Sequence, residues 1–497
     1  MRSSLSTLVM SSVAGGVLAA ESALYHYMPV EFEYDLDSRV TANLTFGTAA
    51  SAEPVKVVMD SGSANFWVWA PGAVVHWGSP YFGVVGPCNE TVETLYDPAL
   101  SPTSSLINQT SAYAYAGNSK IVSGEQWATD TITAPGGTGP ISNIQFSLQT
   151  YGLLKLADNG SCLPTPYDKS ILGLSPYTNN TVGPSFRQNL FKTGQVAAQT
   201  MFLWFDKHTG TLGDLLGGIL FGAVDVSKYT GPLVEVPNVV DHASQVGIYV
   251  AKPNITLNGQ TFTPDQTTTC LIDSGAHGDA LPFDYTGDLE SQFYAASAGQ
   301  LVDYNGIVAF NGTCEDIPAG LNVTYTFAGV REGESIEIVM PVRNYARGRI
   351  DPYNDRGVCL LNWEMGGCIL GAPFVSAAAL LMDDDGDRIA LAQGGVSAEG
   401  AGLHKESLVV LGESKSWTEL KPNPNDVKMH TPPSRTKTKS QPTLRNPPHP
   451  PHLPKFMNPT FGGRVNSITK LKSSAYFTDL LVDAFLKGRP PKAVPEP

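Results

Sequence analysis

Charged side chains are scarce in this chain. Asp, Glu, Lys and Arg make up 16% of its 497 residues. A helical bundle needs more Lys, Glu and Ala, so that class is disfavoured. Long apolar runs are missing too: none reaches the ~18 residues a membrane helix requires, so no stable membrane span is expected. The six cysteines lack Cys-x-x-Cys spacing and no His/Glu cluster has ligand spacing. That disfavours a metalloenzyme and implies no metal or cofactor. Basic residues are few outside the C-terminal part. Residues 404–497 hold 15 Lys and Arg against 7 Asp and Glu, whereas residues 1–403 hold 17 against 39. A body this acidic argues against nucleic acid as a partner.

What the chain does have is apolar residues (42%), 49 Gly and 37 Pro. Short β-like runs broken by turn residues extend from about Val40 to Gln393, as in Val55–Met59, Phe66–Trp69, Met201–Phe205, Ile336–Met340 and Ala378–Met382. Helices are expected near Ser185–Lys192 and Asp288–Ala296. Asp383-Asp384-Asp385-Gly386-Asp387 lacks the alternating ligands and distal Glu of a calcium loop. It reads as a hairpin turn between two apolar strands. The fold class expected is mostly all-β, in two lobes.

Met1–Ala20 reads as a secretory signal: Arg2, a short apolar stretch from Leu8, and small residues at Ala19 and Ala20. Eight glycosylation sequons agree, at Asn43, Asn89, Asn108, Asn159, Asn179, Asn254, Asn311 and Asn322. An even number of cysteines in a secreted chain suggests three disulfides, with 15 connectivities open. The expected location is therefore secreted, in the secretory pathway or a vacuole. Residues 21–33 form a short N-terminal segment. From 397 to 497 a Pro-rich basic tail is expected to be disordered, since its composition buries too little apolar surface.

The strongest signal occurs twice. Val57-Val58-Met59-Asp60-Ser61-Gly62-Ser63 returns as Cys270-Leu271-Ile272-Asp273-Ser274-Gly275-Ala276, and each copy is followed about a hundred residues on by Ile-Leu-Gly, at Ile171–Gly173 and Ile369–Gly371. One Asp-Ser-Gly is an ordinary turn. Two copies in matching contexts place one Asp at the end of a buried strand in each half-chain. Two carboxylates meeting on a pseudo-twofold axis cannot both ionise and must share a proton.

These residues resemble the pepsin-like aspartic proteases, and most closely the secreted fungal forms, over roughly residues 34–395. Asp60 to Val68 is similar to the first active-site motif. Tyr115 to Thr131 is similar to the flap hairpin, and Gly217 to Gly222 to the inter-lobe region. Leu271 to Pro282 is similar to the second active-site motif. The resemblance implies a bilobed fold, with lobes at 34–235 and 236–396, and a peptide bound extended in the cleft as an added strand. It implies an endopeptidase that prefers bulky hydrophobic residues, takes pepstatin-like inhibitors and acts as a monomer. Asp60 and Asp273 become the catalytic pair. Ser61, Gly62, Ser63, Ser274 and Gly275 become their support. Tyr115, with Tyr113 as competitor, becomes the flap tyrosine, and Trp67 its hydrogen-bond partner. The resemblance pairs Cys314 with Cys359; Cys88 is expected to pair with Cys162 within the first lobe, and Cys270 with Cys368 because each precedes a strand of the same crossed pair.

The chain also departs from the family pattern. Ala276 stands where a hydroxyl residue is usual, which predicts activity shifted toward less acidic pH. His277 and Asp279 are unusual and are expected at the solvated edge of the site. Ala372 and Ser376 replace an Asp and an Arg, which is expected to affect lobe packing more than chemistry. Only about a dozen residues separate the expected signal from Phe32, shorter than the pro-segment usual in the family, so the expectation is either that no zymogen step is needed or that the N-terminus is misassigned. The competing reading is a pepsin-like fold that has lost catalysis and binds proteins. A carboxylate-pair glycosidase would need only a suitable separation, not symmetric Asp-Ser-Gly loops.

Overall fold

Each apolar run leading to Asp-Ser-Gly forms a buried strand. In the computed structural model these are Val55–Asp60 and Thr269–Ile272. The structure describes residues 24–420 apart from 34–38, 50–51, 78–91, 93, 116–119, 155–168, 177–182, 209–213, 240–246, 284–287, 305–306, 348–356 and 413–416. The predicted signal, Cys88, Cys162, the sequons at Asn89, Asn159 and Asn179, and the chain beyond 420 lie outside the described residues.

The repeat in sequence is a repeat in topology. Val55–Asp60 pairs in parallel with Ser170–Gly173, bringing Asp60 opposite Gly173. Ser170–Gly173 then pairs antiparallel with Phe66–Trp77, the strand leaving the first loop. In the second half Thr269–Ile272 runs parallel to Ile369–Leu370, which pairs antiparallel with Asp279–Leu281. Val57, Val58 and Met59 are all buried in the first entering strand, and Cys270 and Ile272 in the second, where Leu271 is half-buried at a cavity wall.

A sheet built from both halves joins them. It has 13 strands among the described residues, and the six at the end that joins the halves lie in the order Thr230–Val236, Arg388–Gln393, Ala378–Asp383, Thr200–Phe205, Leu215–Phe221 and His26–Phe32. Leu203, Phe205, Ile219, Leu380 and Leu391 of this sheet are buried in the main core. The mostly-β, bilobed expectation is met. Helices occur at Phe186–Lys192, capped by the Ser185 side chain accepting from Gln188 N–H, and at Asp288–Ala296. Disulfides join Cys270 to Cys368 and Cys314 to Cys359. The second closes a 45-residue separation, worth about 4 kcal/mol in the chain-entropy picture.

The acidic turn at 383–387 is a hairpin, with Asp383 opposite Arg388. Its carboxylates anchor neighbouring elements. Asp384 pairs at 2.7 Å with the buried Arg187, whose guanidinium also donates to Leu174 O. Asp385 accepts from Gln199 N–H and from its side-chain amide.

The stretch from 397 to 420 corrects the expectation of a disordered tail beginning at 397. Leu408–Val410 pairs antiparallel with Ala223–Asp225, and Leu411 N–H donates to Gly222 O at 2.9 Å. The buried Asp206 accepts from Ser397 Oγ and Ala401 N–H, and the buried Asp225 from His404 N–H and Ser407 Oγ. Trp417, 4% exposed, donates its indole N–H to Asp383 at 2.9 Å beneath the Arg388 guanidinium. Apolar residues at 408–411 and 417 supply the burial that the Pro-rich composition further on cannot.

Candidate active site

The two Asp-Ser-Gly loops meet through a reciprocal set of hydrogen bonds. Ser61 N–H donates to Ser274 Oγ at 3.0 Å, and Ser274 N–H donates to Ser61 Oγ at 2.9 Å. Each hydroxyl then donates to the strand entering the opposite loop, Ser61 Oγ to Ile272 O and Ser274 Oγ to Met59 O. Both serines are wholly buried, so these bonds are made away from water and fix the relative position of the halves. The companion strands hold the loops from behind: Leu174 N–H donates to Asp60 O at 2.7 Å, and Asp273 N–H to Leu370 O at 2.9 Å.

This grip presses the carboxyl groups together. A Cβ on Gly62 would fall 2.5 Å from Asp273 Cγ, and one on Gly275 would fall 2.6 Å from Asp60 Oδ1. Only glycine allows that approach. Gly62 N–H donates to Asp60 Oδ1 at 2.8 Å, and Gly275 N–H to Asp273 Oδ1 at 2.9 Å. The outer oxygens differ. Ser63 Oγ donates to Asp60 Oδ2 at 2.6 Å, while Ala276 has no hydroxyl to offer Asp273. Burial, and then the facing Asp60 carboxylate, push the Asp273 carboxyl well above the usual carboxylate range.

The pair opens onto a cavity of about 520 Å³. Val58, Ala114, Ile171, Leu271, Ala280 and Ile369 give it apolar walls, and Tyr115 closes one side. The Trp67 indole N–H donates to Tyr115 OH at 2.8 Å. Tyr113 turns elsewhere, its hydroxyl 3.1 Å from Ser147 Oγ. The structure thus brings together Asp60, Asp273, Ser61, Gly62, Ser63, Ser274, Gly275, Tyr115 and Trp67. None of the described cysteines or sequon asparagines lines this cavity. Among the sequons, Asn43, Asn108 and Asn311 are exposed, and Asn254 and Asn322 are half-buried.

Several residues at the site carried no signal in the sequence reading. Ser175 Oγ donates to Ser61 O at 2.6 Å and Ser175 N–H to Ser63 O at 2.9 Å. Its place two residues after the first Ile-Leu-Gly was the available clue. Lys120, paired with Tyr115 in the flap hairpin, is buried, its ammonium 4.6 Å from the Trp67 ring centroid and donating to Lys169 O. Arg39 is buried at the cavity wall and lowers the Asp273 carboxyl slightly against its larger upward push. Asp279 is buried, not solvated as expected: Gly371 N–H and two tyrosine hydroxyls satisfy it.

A bilobed β fold with paired carboxyl loops at the junction of its repeated halves defines a class of acid hydrolase. A sequence model of the family described as eukaryotic aspartyl protease matches residues 41–394, and the chain belongs to that family. It is 25% identical over 384 residues to the "Probable aspartic-type endopeptidase opsB" of Aspergillus oryzae, covering 72% of this chain and 70% of that protein. It is 26% identical over 369 residues to "Aspartic proteinase yapsin-3" of Saccharomyces cerevisiae, covering 71% and 65%. It is 24% identical over 356 residues to "Secreted aspartic protease 8" of Candida albicans, covering 71% and 75%.

Proposed function

We propose that this protein is an aspartic endopeptidase in which Asp60 and Asp273 share one proton and activate one water. The observation that carries this reading is the mutual Ser61–Ser274 grip, with Gly62 and Gly275 letting each carboxyl approach the opposite loop. In the reaction the ionised carboxylate takes a proton from water as the oxygen attacks the scissile carbonyl. The protonated partner donates to the carbonyl oxygen as it becomes an alkoxide. No covalent intermediate with the enzyme forms.

The apolar walls beside the pair suit bulky hydrophobic side chains on either side of the scissile bond. Tyr115, held by Trp67, closes over an extended peptide bound as an added strand. Lobes divided near residue 235, each carrying one Asp-Ser-Gly loop, would flank that peptide. The signal-like N-terminus and the exposed sequons support secretion and glycosylation. A monomer working on unfolded or extended chains needs nothing more. A library of quenched peptides assayed from about pH 3 to 7 tests the reading. Cleavage that pepstatin blocks supports it, and a folded protein that cleaves nothing favours the binding-protein alternative.

Asymmetry at the outer oxygens gives a further expectation. Ala276→Thr adds a donor to ionised Asp273, which lowers its proton affinity. The neutral limb and the optimum of the kcat/KM profile should move to lower pH by roughly half a unit or more, since a hydrogen bond to a charged group is worth about 1.5–3 kcal/mol before competing costs. An unchanged or higher optimum contradicts this account of Ala276.

A further inference from the structure

Asp279 opens the strand Asp279–Leu281, which leaves the loop carrying Asp273, and it is 2% exposed. Both its oxygens are engaged. Oδ1 accepts Gly371 N–H at 2.7 Å. Oδ2 accepts the Tyr345 hydroxyl at 2.7 Å and the Tyr325 hydroxyl at 3.3 Å, and the two hydroxyls lie 2.8 Å apart. Tyr345 is held flat against Trp363, with ring centroids 4.5 Å apart and planes 6° from parallel.

Gly371 links this hub to the candidate catalytic loop. It follows Leu370, whose carbonyl receives Asp273 N–H at 2.9 Å, and it precedes Ala372, whose N–H donates to Ala276 O at 2.9 Å. A Cβ on Gly371 would fall 2.3 Å from Gly278 O and 3.0 Å from Ala276 O. The end of the companion strand is therefore pressed onto loop 276–278, and the Asp279 carboxyl ties its amide there.

We propose that Asp279 is a positioning residue for the reaction: through Gly371 it holds the loop and companion strand that orient Asp273, by a hydrogen-bond hub whose donor order reverses when its carboxyl takes up a proton. This rests on the reading of Asp273 as half of the catalytic pair. With Asp279 ionised, the hydroxyl protons of Tyr325 and Tyr345 point toward Oδ2, directly or in sequence. With Oδ2 protonated, that oxygen donates to a tyrosine and the hydroxyl chain runs the other way. Gly371 N–H keeps its acceptor in both states, so the protonated hub holds the loop without a buried charge.

Burial pushes the Asp279 carboxyl up to about 7, outweighing the hydrogen bonds from Tyr345, Gly371, Phe374 and Tyr325 that act downward. The ionisable groups packed on it are those two tyrosines. Across the cavity stand Asp60, Asp273, Arg39 and His277, with Glu364 exposed on the neighbouring strand. The companion strand and the helix Ala372–Ala377 contribute no ionisable side chain. Because the folded value, about 7, lies above the ordinary 3.8, the folded chain holds the extra proton between them. Stability from this group is greatest below about pH 4 and falls as pH rises to about 7.

The test uses the full chain, a quenched peptide, and the variants Asp279→Asn and Asp279→Ala, with kcat, KM and thermal midpoint followed from about pH 3 to 8. Asp279→Asn keeps an acceptor for Gly371 and carries no charge. It should retain kcat at pH 4 within about threefold and flatten the fall of the midpoint between about pH 5 and 8. Asp279→Ala should lower kcat by roughly tenfold or more with KM changed less than about threefold, as expected when a reacting group loses its alignment. An Asp279→Ala protein with wild-type kcat overturns the proposal. So does an Asp279→Asn protein whose midpoint slope matches the wild type. If Asp279→Ala does not fold, the Asp279→Asn profile decides alone. A wild type that folds yet cleaves nothing would defeat the endopeptidase reading instead, while the midpoint slopes still judge the hub.

Discussion

Asp273→Asn is expected to lower kcat by about 10³-fold at every pH between 3 and 7, and Asp60→Asn by a similar factor, without unfolding the chain. Asparagine preserves shape and an acceptor for the Gly275 or Gly62 amide, bonds of 2.9 and 2.8 Å in the native protein. What it removes is the capacity to give or take a proton. The two losses should not add, because each carboxyl acts only with the other, so the double variant should be little worse than either single one. Stability should move the opposite way. Burial and Asp60 hold the Asp273 carboxyl above its ordinary value, so it costs folding free energy as pH rises toward neutrality. Asp273→Asn should melt no lower than the wild type near pH 7. A variant that retains a tenth or more of wild-type kcat contradicts the shared-proton account.

Ending the chain at 396 is expected to prevent a stable fold, whereas ending it at 426 should not. The shorter chain loses the Leu408–Val410 strand, the partners of buried Asp206 and Asp225, and the indole that covers Asp383. Asp206 keeps Lys228 and Asp225 keeps Ser227, but each donor lost from a buried carboxylate costs about 1–3 kcal/mol, and removal of a buried Trp side chain costs about 3–5 kcal/mol. Together these rival the whole stability of a typical domain. In the full chain, Trp417→Ala alone should lower stability by about 3–5 kcal/mol, read from denaturant melts. A chain ending at 396 that melts within a few degrees of one ending at 426 would show that the 397–420 segment only lies on the fold.

The sequence showed the frame of this molecule because the frame repeats. Two apolar runs ending in Asp-Ser-Gly, each with its Ile-Leu-Gly, predict a strand that delivers one Asp in each half-chain, and the structure has both. The helix expected near Ser185–Lys192 is present, and the Asp-Gly turn at 383–387 marked a hairpin. Long-range partners were not legible. Asp279 read as a solvated residue because Asp is rarely buried alone. Its partners Tyr325, Tyr345 and Gly371 lie 46 to 92 residues away, and no local pattern announces them. Lys120 was hidden likewise, because its burial depends on Trp67 and on a strand from elsewhere in the chain. The segment after 397 was merged with the Pro-rich stretch by composition, although Leu408-Val409-Val410-Leu411 is a strand-like run. Composition averaged over a hundred residues outweighed a four-residue signal.

The pH dependence of kcat/KM for one good peptide substrate, with and without pepstatin, tests the shared-proton pair most directly. Two carboxyls holding one proton predict a bell-shaped profile whose limbs report the pair as a whole, with hydrolysis stopped by pepstatin at every pH. Hydrolysis that rises to a plateau at neutral pH and ignores pepstatin would contradict the assignment of Asp60 and Asp273 as the reacting groups.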